Sequence, residues 1–123
     1  MKVKVTWEQV EIFLNKIERI ALKRDIKAVY GLPRGGLVLA VMISHRLNIP
    51  LLLAPTAECL IIDDICDSGE SLMHYYNNSS GNEERKNIIC TMYYKENDLG
   101  IIPDCWVYKK ENEWIVFPWE RED

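Results

Sequence analysis

Two hydrophobic periods alternate along this chain. Val10, Phe13, Leu14, Ile17, Ile20 and Ala21 recur at helical spacing in one stripe, which predicts an amphipathic helix packed on a sheet. Its start is marked by Thr6-Trp7-Glu8-Gln9, a capping box with Thr6 as N-cap and Gln9 reaching back, and its end by the polar run Lys23-Arg24-Asp25. Ala28-Val29-Tyr30 is a short run of strand type. It ends in the punctuation Gly31-Leu32-Pro33-Arg34-Gly35-Gly36, after which helical spacing resumes over residues 37–47. Residues 50–53 and 60–63 are unbroken apolar runs of strand length, the pattern of strands covered on both faces. The remaining chain predicts a short helix over 71–76, a solvated turn over 77–85, a buried strand over 87–94, a brief strand over 105–107 and an extended piece over 114–116. Strands alternating with helices give an α/β fold with a mainly parallel sheet flanked by helices.

Composition narrows the class. Apolar residues at 48% and charged residues at 28% exclude disordered, collagen-like and coiled-coil readings, and 123 residues leave room for one domain, 1–123. The longest weakly interrupted apolar stretch, 35–44, is far short of the roughly 20 residues a membrane-spanning helix needs. The N-terminal MKVKVTW has no apolar h-region and no cleavage site, so the protein is expected in the cytoplasm with no membrane partner. A net charge of −4 and a pI near 5.2 argue against nucleic acid and for a small ligand. The cysteines Cys59, Cys66, Cys90 and Cys105 and the histidines His45 and His74 lack zinc spacing and read as thiols and imidazoles in a reducing compartment. The sequons at 77–80 have no meaning without a secretory route. The number of subunits is not legible, and a homo-oligomer stays open.

In a parallel sheet, ligands bind at the carboxyl ends of strands, and the informative run is Leu60-Ile61-Ile62-Asp63-Asp64-Ile65-Cys66-Asp67-Ser68-Gly69-Glu70-Ser71-Leu72. A buried aliphatic strand carries two adjacent carboxylates at its tip, and Asp67-Ser68-Gly69-Glu70-Ser71 turns into a helix. Such a turn brings backbone N–H groups and two hydroxyls to one spot at the positive end of a helix, which suits a phosphate. Paired carboxylates suit ribose hydroxyls or hydrated Mg²⁺. A response-regulator receiver and a haloacid-dehalogenase-type site also place acids after an aliphatic strand, but on their first strand; the chain after Asp63 is too short for the receiver, and the dehalogenase-type site does not explain Ser68-Gly69-Glu70-Ser71. A plain strand meeting a polar turn accounts for only one or two of the positions.

The run closely resembles the PRPP-binding signature of the type I phosphoribosyltransferases, with every constrained position met. The resemblance implies that Asp63 and Asp64 hold the ribose 2′- and 3′-hydroxyls and Mg²⁺ through water, and that Asp67, Ser68, Gly69, Glu70 and Ser71 wrap the 5′-phosphate. It further implies that Asp67 lies near N7 of a purine as the acid/base. Leu32-Pro33-Arg34-Gly35-Gly36 is similar to the family's pyrophosphate loop, in which Arg34 faces the anion and Gly35 and Gly36 let backbone amides approach it. Alone, Arg-Gly-Gly after a strand is more often a plain turn; its place ahead of the acid pair gives it weight.

The tail Glu113-Trp114-Ile115-Val116-Phe117-Pro118-Trp119-Glu120 resembles that of the xanthine-guanine branch. A purine needs an aromatic plate and fixed polar groups at its edge. The resemblance gives these roles to Trp114 and to the backbone of Ile115, while Phe117 and Trp119 read as core-sealing aromatics. Lys95, after the strand of residues 87–94, aligns with the lysine that donates to the purine 6-oxo group, although a lone lysine after a strand is usually a solvated charge. Glu70 departs from expectation, since a carboxylate beside a phosphate is unhelpful unless it points to solvent.

A larger departure is a deletion. Active members usually carry a long closing loop between the second and third core strands, and here only residues 54–59 separate them. If these strands flank the first, the connection climbs about 13 Å and crosses about 10 Å, a diagonal of about 16 Å, while its Cα steps reach at most about 25 Å. Little chain remains for a lid. The leading expectation is therefore transfer of the 5-phosphoribosyl group from PRPP to a 6-oxopurine (guanine, xanthine or hypoxanthine), giving the nucleoside monophosphate and pyrophosphate with Mg²⁺. The alternative is a non-catalytic PRPP- or nucleotide-binding module.

Overall fold

The computed structural model describes residues 1–77 and 87–121. The solvated turn expected over 77–85 and the sequons there fall almost wholly outside the described residues.

Helix α1 (Trp7–Lys23) starts at the expected capping box. Thr6 Oγ1 accepts from the Gln9 N–H at 3.2 Å, and Gln9 Oε1 accepts from the Thr6 N–H at 2.9 Å. Its stripe of Val10, Phe13, Leu14, Ile17 and Ala21 is buried, with Ile20 packed beside it. β2 (Val29–Gly31), β3 (Leu60–Cys66), β4 (Ile88–Tyr94) and β5 (Tyr108–Lys109) form a sheet in that order, every pair parallel. Within the continuous apolar runs the faces still alternate. Leu60 and Ile62 on β3, with Ile88, Cys90 and Met92 on β4, join α1 and α2 (Gly35–Leu47), whereas Ile61 and Ile89 join Leu72 of α3 (Glu70–Asn77). Helices thus cover both faces, which is why the first halves of β3 and β4, Leu60–Ile62 and Ile88–Cys90, are unbroken apolar runs.

Several boundaries differ from expectation for identifiable reasons. The segment 50–53 contributes a single parallel bridge, Leu51 to Val29, because the chain turns away into the exposed stretch 53–58. That bridge still places β2 between this segment and β3, the arrangement that makes the 54–59 connection short. α2 begins at Gly35 rather than Leu37, taking both glycines into its first turn, where the Leu37 N–H donates to the Leu32 carbonyl at 3.1 Å. The brief strand expected at 105–107 is one bridge, Cys105 to Cys90, and the ladder proper comes later at Tyr108–Lys109. The N-terminal Lys2–Lys4, too short to register as a period, is strand β1, paired in parallel with β6 (Trp114–Val116). All four cysteines are buried free thiols, and among the described residues no helix is long and apolar enough to cross a membrane.

Candidate active site

The acid pair lies within β3, not at its tip. β4 runs alongside β3 to the Cys66–Tyr94 pair, which keeps the strand going through Asp63 and Asp64. β2, in contrast, leaves the ladder at Ile62, so the acids stand where one edge of the strand is uncovered. Asp63 Oδ1 accepts from the Asp64 N–H at 2.9 Å and Asp64 Oδ1 from the Ile65 N–H at 2.8 Å, which fixes both carboxylates against the backbone. Burial, with Asp64 alongside, pushes the Asp63 carboxyl up to about 8, and burial likewise raises Asp64. The protein supplies no compensating cation in contact with this pair among the described residues. Two fixed, electron-rich carboxylates short of a counter-charge are hard oxygen donors that fit a hydrated Mg²⁺. Because no cluster of three metal-ligating side chains exists among the described residues, water and substrate oxygens would complete its shell.

The glycine loop meets the acid pair directly. A Cβ on Gly35 would collide with the Asp64 carboxylate, and one on Gly36 with the Ile62 carbonyl and, at 2.9 Å, with Asp63 Cα. Close approach is therefore demanded by β3 itself, in addition to any anion. The Pro33–Arg34 peptide is cis, and Arg34 stands exposed at the mouth. Together these elements enclose a cleft of about 870 Å³, lined among others by Arg34, Gly35, Asp63, Asp64 and Ser71. The tail adds Trp119, Glu120 and Arg121. Trp119 stacks on Phe117 with ring centroids 4.9 Å apart, as the core-sealing reading expects, yet it also walls the cleft.

Beyond Asp64 the chain makes the turn 67–71. Gly69 adopts φ +85°, which glycine alone takes without strain, and a Cβ there would sit 2.8 Å from Ile101 Cβ. Ser68 Oγ accepts from the Glu70 N–H at 3.3 Å, and the Glu70 side chain is exposed, which removes the difficulty of a carboxylate beside a phosphate. Behind the turn, Asn97 ties its own loop together. Its Nδ2 donates to the Ile101 carbonyl at 2.8 Å and the Lys95 carbonyl at 3.1 Å, and its Oδ1 accepts from the Ile101 N–H at 2.9 Å. Sequence reading passed over Asn97 because its role is to shape a wall and not to touch a ligand. Burial, with Asp63 and Asp67 nearby, pushes the Cys66 thiol up to about 11, so it stays protonated and is no nucleophile at neutral pH.

Lys95 turns inward. Its Nζ lies 3.8 Å from Asp67 Oδ1 and 3.4 Å from Asn112 Oδ1. A second lysine that sequence reading missed, Lys110, reaches Asp67 Oδ2 at 3.3 Å. Its signal was faint: it directly follows β5, beside a second lysine, Lys109, which faces out to Glu96. Trp114 stands 71% exposed on β6, outside the acid-pair cleft. The Trp114 N–H donates to the Met1 carbonyl and the Val116 carbonyl accepts from the Val5 N–H, so by ladder alternation the N–H and C=O of Ile115 point away from β1.

No family model matches the sequence, and no curated protein does. Solved structures match over nearly the whole chain. A purine phosphoribosyltransferase from Pyrococcus horikoshii aligns with a TM-score of 0.80 at 26% identity, over 99% of this chain and 96% of that one. The xanthine-guanine-hypoxanthine phosphoribosyltransferase of Helicobacter pylori aligns at 0.71 and 17% identity, over 98% and 94%. A hypothetical protein from Neisseria gonorrhoeae with bound ppGpp aligns at 0.68 and 16%, over 100% and 91%. The fold is that of the purine phosphoribosyltransferases, and these likenesses support a relationship to the type I phosphoribosyltransferases.

Proposed function

We propose that the chain transfers the 5-phosphoribosyl group of PRPP to N9 of a 6-oxopurine. The carrying observation is the joining, along one strand and its following turn, of an uncovered acid pair, a glycine loop packed against it and an aspartate between two lysines. Asp63 and Asp64 hold the ribose hydroxyls and Mg²⁺, and the 67–71 turn holds the 5′-phosphate. When bound, Mg²⁺ neutralises the leaving pyrophosphate. Arg34 meets the same anion at the mouth of the cleft. The C1′–oxygen bond to pyrophosphate breaks, the C1′–N9 bond forms, and Asp67 takes the proton that the base gives up at N7. Lys95 donates to the 6-oxo group, which an amino group in that place could not accept. Trp114 offers its exposed face to the base, and the outward backbone of Ile115 reads its 2-substituent. The site has the volume and chemistry for a nucleoside monophosphate as product.

Incubation with PRPP and Mg²⁺ and each of guanine, xanthine, hypoxanthine and adenine tests this reading. Nucleoside monophosphate from the oxo bases but not adenine is the expected result. Asp67→Asn should lower turnover about 10²-fold or more while PRPP affinity stays within about threefold; equal losses in both would remove the acid/base role. The short 54–59 connection, exposed up to residue 58, favours a second reading, a PRPP- or nucleotide-binding module without transfer, because an oxocarbenium-like centre needs shielding from water. Tight PRPP binding with no product from any base would select it.

A further inference from the structure

Among the described residues two polar or charged side chains are buried: Lys110, at 8% exposure, and Thr91, which satisfies itself on the Tyr93 carbonyl at 2.8 Å. A buried ammonium is costly unless paired. Lys110 Nζ has two partners, Asp67 Oδ2 and the Glu111 carbonyl, each at 3.3 Å. The backbone holds it there, since the Lys110 N–H donates to the Tyr94 carbonyl at 2.8 Å. Asp67 differs. Its side chain is 55% exposed, and without a partner it would sample several rotamers. On its other oxygen sits Lys95, whose side chain is 33% exposed, longer in contact at 3.8 Å and shared with Asn112.

We propose that Lys110 is a positioning residue that clamps Oδ2 of Asp67 and leaves Oδ1 as the oxygen that works on the base. This rests on the transfer reading above. The two lysines divide the labour by their burial. Lys95, the more exposed and more weakly held, moves from Oδ1 to the incoming base, and Lys110, fixed at the end of β5, keeps the carboxylate aimed when Lys95 departs. Glu113, the other carboxylate in the field of Lys110, accepts the Glu111 N–H at 3.0 Å, whereas the ion pair of the ammonium is with Asp67.

Two variants and one spectroscopic readout test the clamp in the full chain. Lys110→Met keeps the apolar stem and strands no buried charge, because Asp67 reaches water; Lys110→Arg keeps the cation. Turnover in Lys110→Met should fall about 10²-fold with the PRPP KM within about threefold, and Lys110→Arg should recover most of the loss. Independently of activity, NMR of the lysine ammonium groups should show a Lys110 signal that shifts in Asp67→Asn. Unchanged turnover in Lys110→Met, or a Lys110 signal indifferent to Asp67→Asn, overturns the proposal. A Lys110 signal that responds to Asp67→Asn in a protein that forms no nucleotide supports the clamp and overturns the transfer reading instead.

Discussion

At the scale of single residues, Asp63 is a site group whose ionisation the fold alters strongly. Its carboxyl rises from 3.8 to about 8 through burial, then through Asp64. A folded-state value above the unfolded one means that the folded protein holds the proton more tightly. The associated stability is complete below about pH 4 and is lost as pH climbs through about 8. Asp63→Asn removes that ionisation yet keeps an oxygen for the Asp64 N–H. In Mg²⁺-free buffer the variant should gain about 1–3 kcal/mol on the parent between pH 5 and pH 8, read as a rise in relative Tm. A relative Tm that falls over that range would show that the pair is not charge-strained. Gly36 makes a complementary prediction. A methyl group there meets backbone of β3, which cannot swing aside, so Gly36→Ala should cost about 2 kcal/mol or more in denaturant unfolding. A loss under about 0.5 kcal/mol would mean that the loop is not pressed on β3.

At the scale of elements, the legibility of the chain follows the range of the forces that shape each part. α1 was readable to the residue, because its capping box and apolar stripe act within a few positions of one another. The signature run from Leu60 to Leu72 was readable for a similar reason, since strand, acids and turn are contiguous. β1 was not, because Lys2–Lys4 becomes a strand only by pairing with Trp114–Val116, a partner at the other end of the chain. The length of β3 was underestimated because its extension past Asp63 is imposed by β4, and polar residues there disguise a strand. Lys110 and Asn97 escaped notice on the same ground: their roles consist of contacts with Asp67 and Ile101 through the fold, with no motif around them. The Asn97 loop carries a test of its own. Asn97→Ala deletes four hydrogen bonds behind the phosphate turn, so PRPP affinity should fall about tenfold, measured by calorimetry, with little change in the helical circular dichroism signal. Unaltered affinity would separate that loop from the phosphate site.

At the scale of the whole molecule, the arrangement of the sheet explains where the short connection matters. Leu51 bridges one edge of β2 and β3 the other, so residues 52–59 are spent in crossing between them. The crossing leaves an open cleft over the acid pair, with Trp119, Glu120 and Arg121 of the tail as its wall. An open site that still transfers must compete with water for the same ribosyl centre. Phosphorus NMR of one reaction holding PRPP, Mg²⁺ and guanine follows both fates at once, as nucleoside monophosphate or ribose 5-phosphate. Nucleoside monophosphate is expected to accumulate, accompanied by some ribose 5-phosphate. PRPP that remains intact, or that yields ribose 5-phosphate alone, would contradict transfer to the purine.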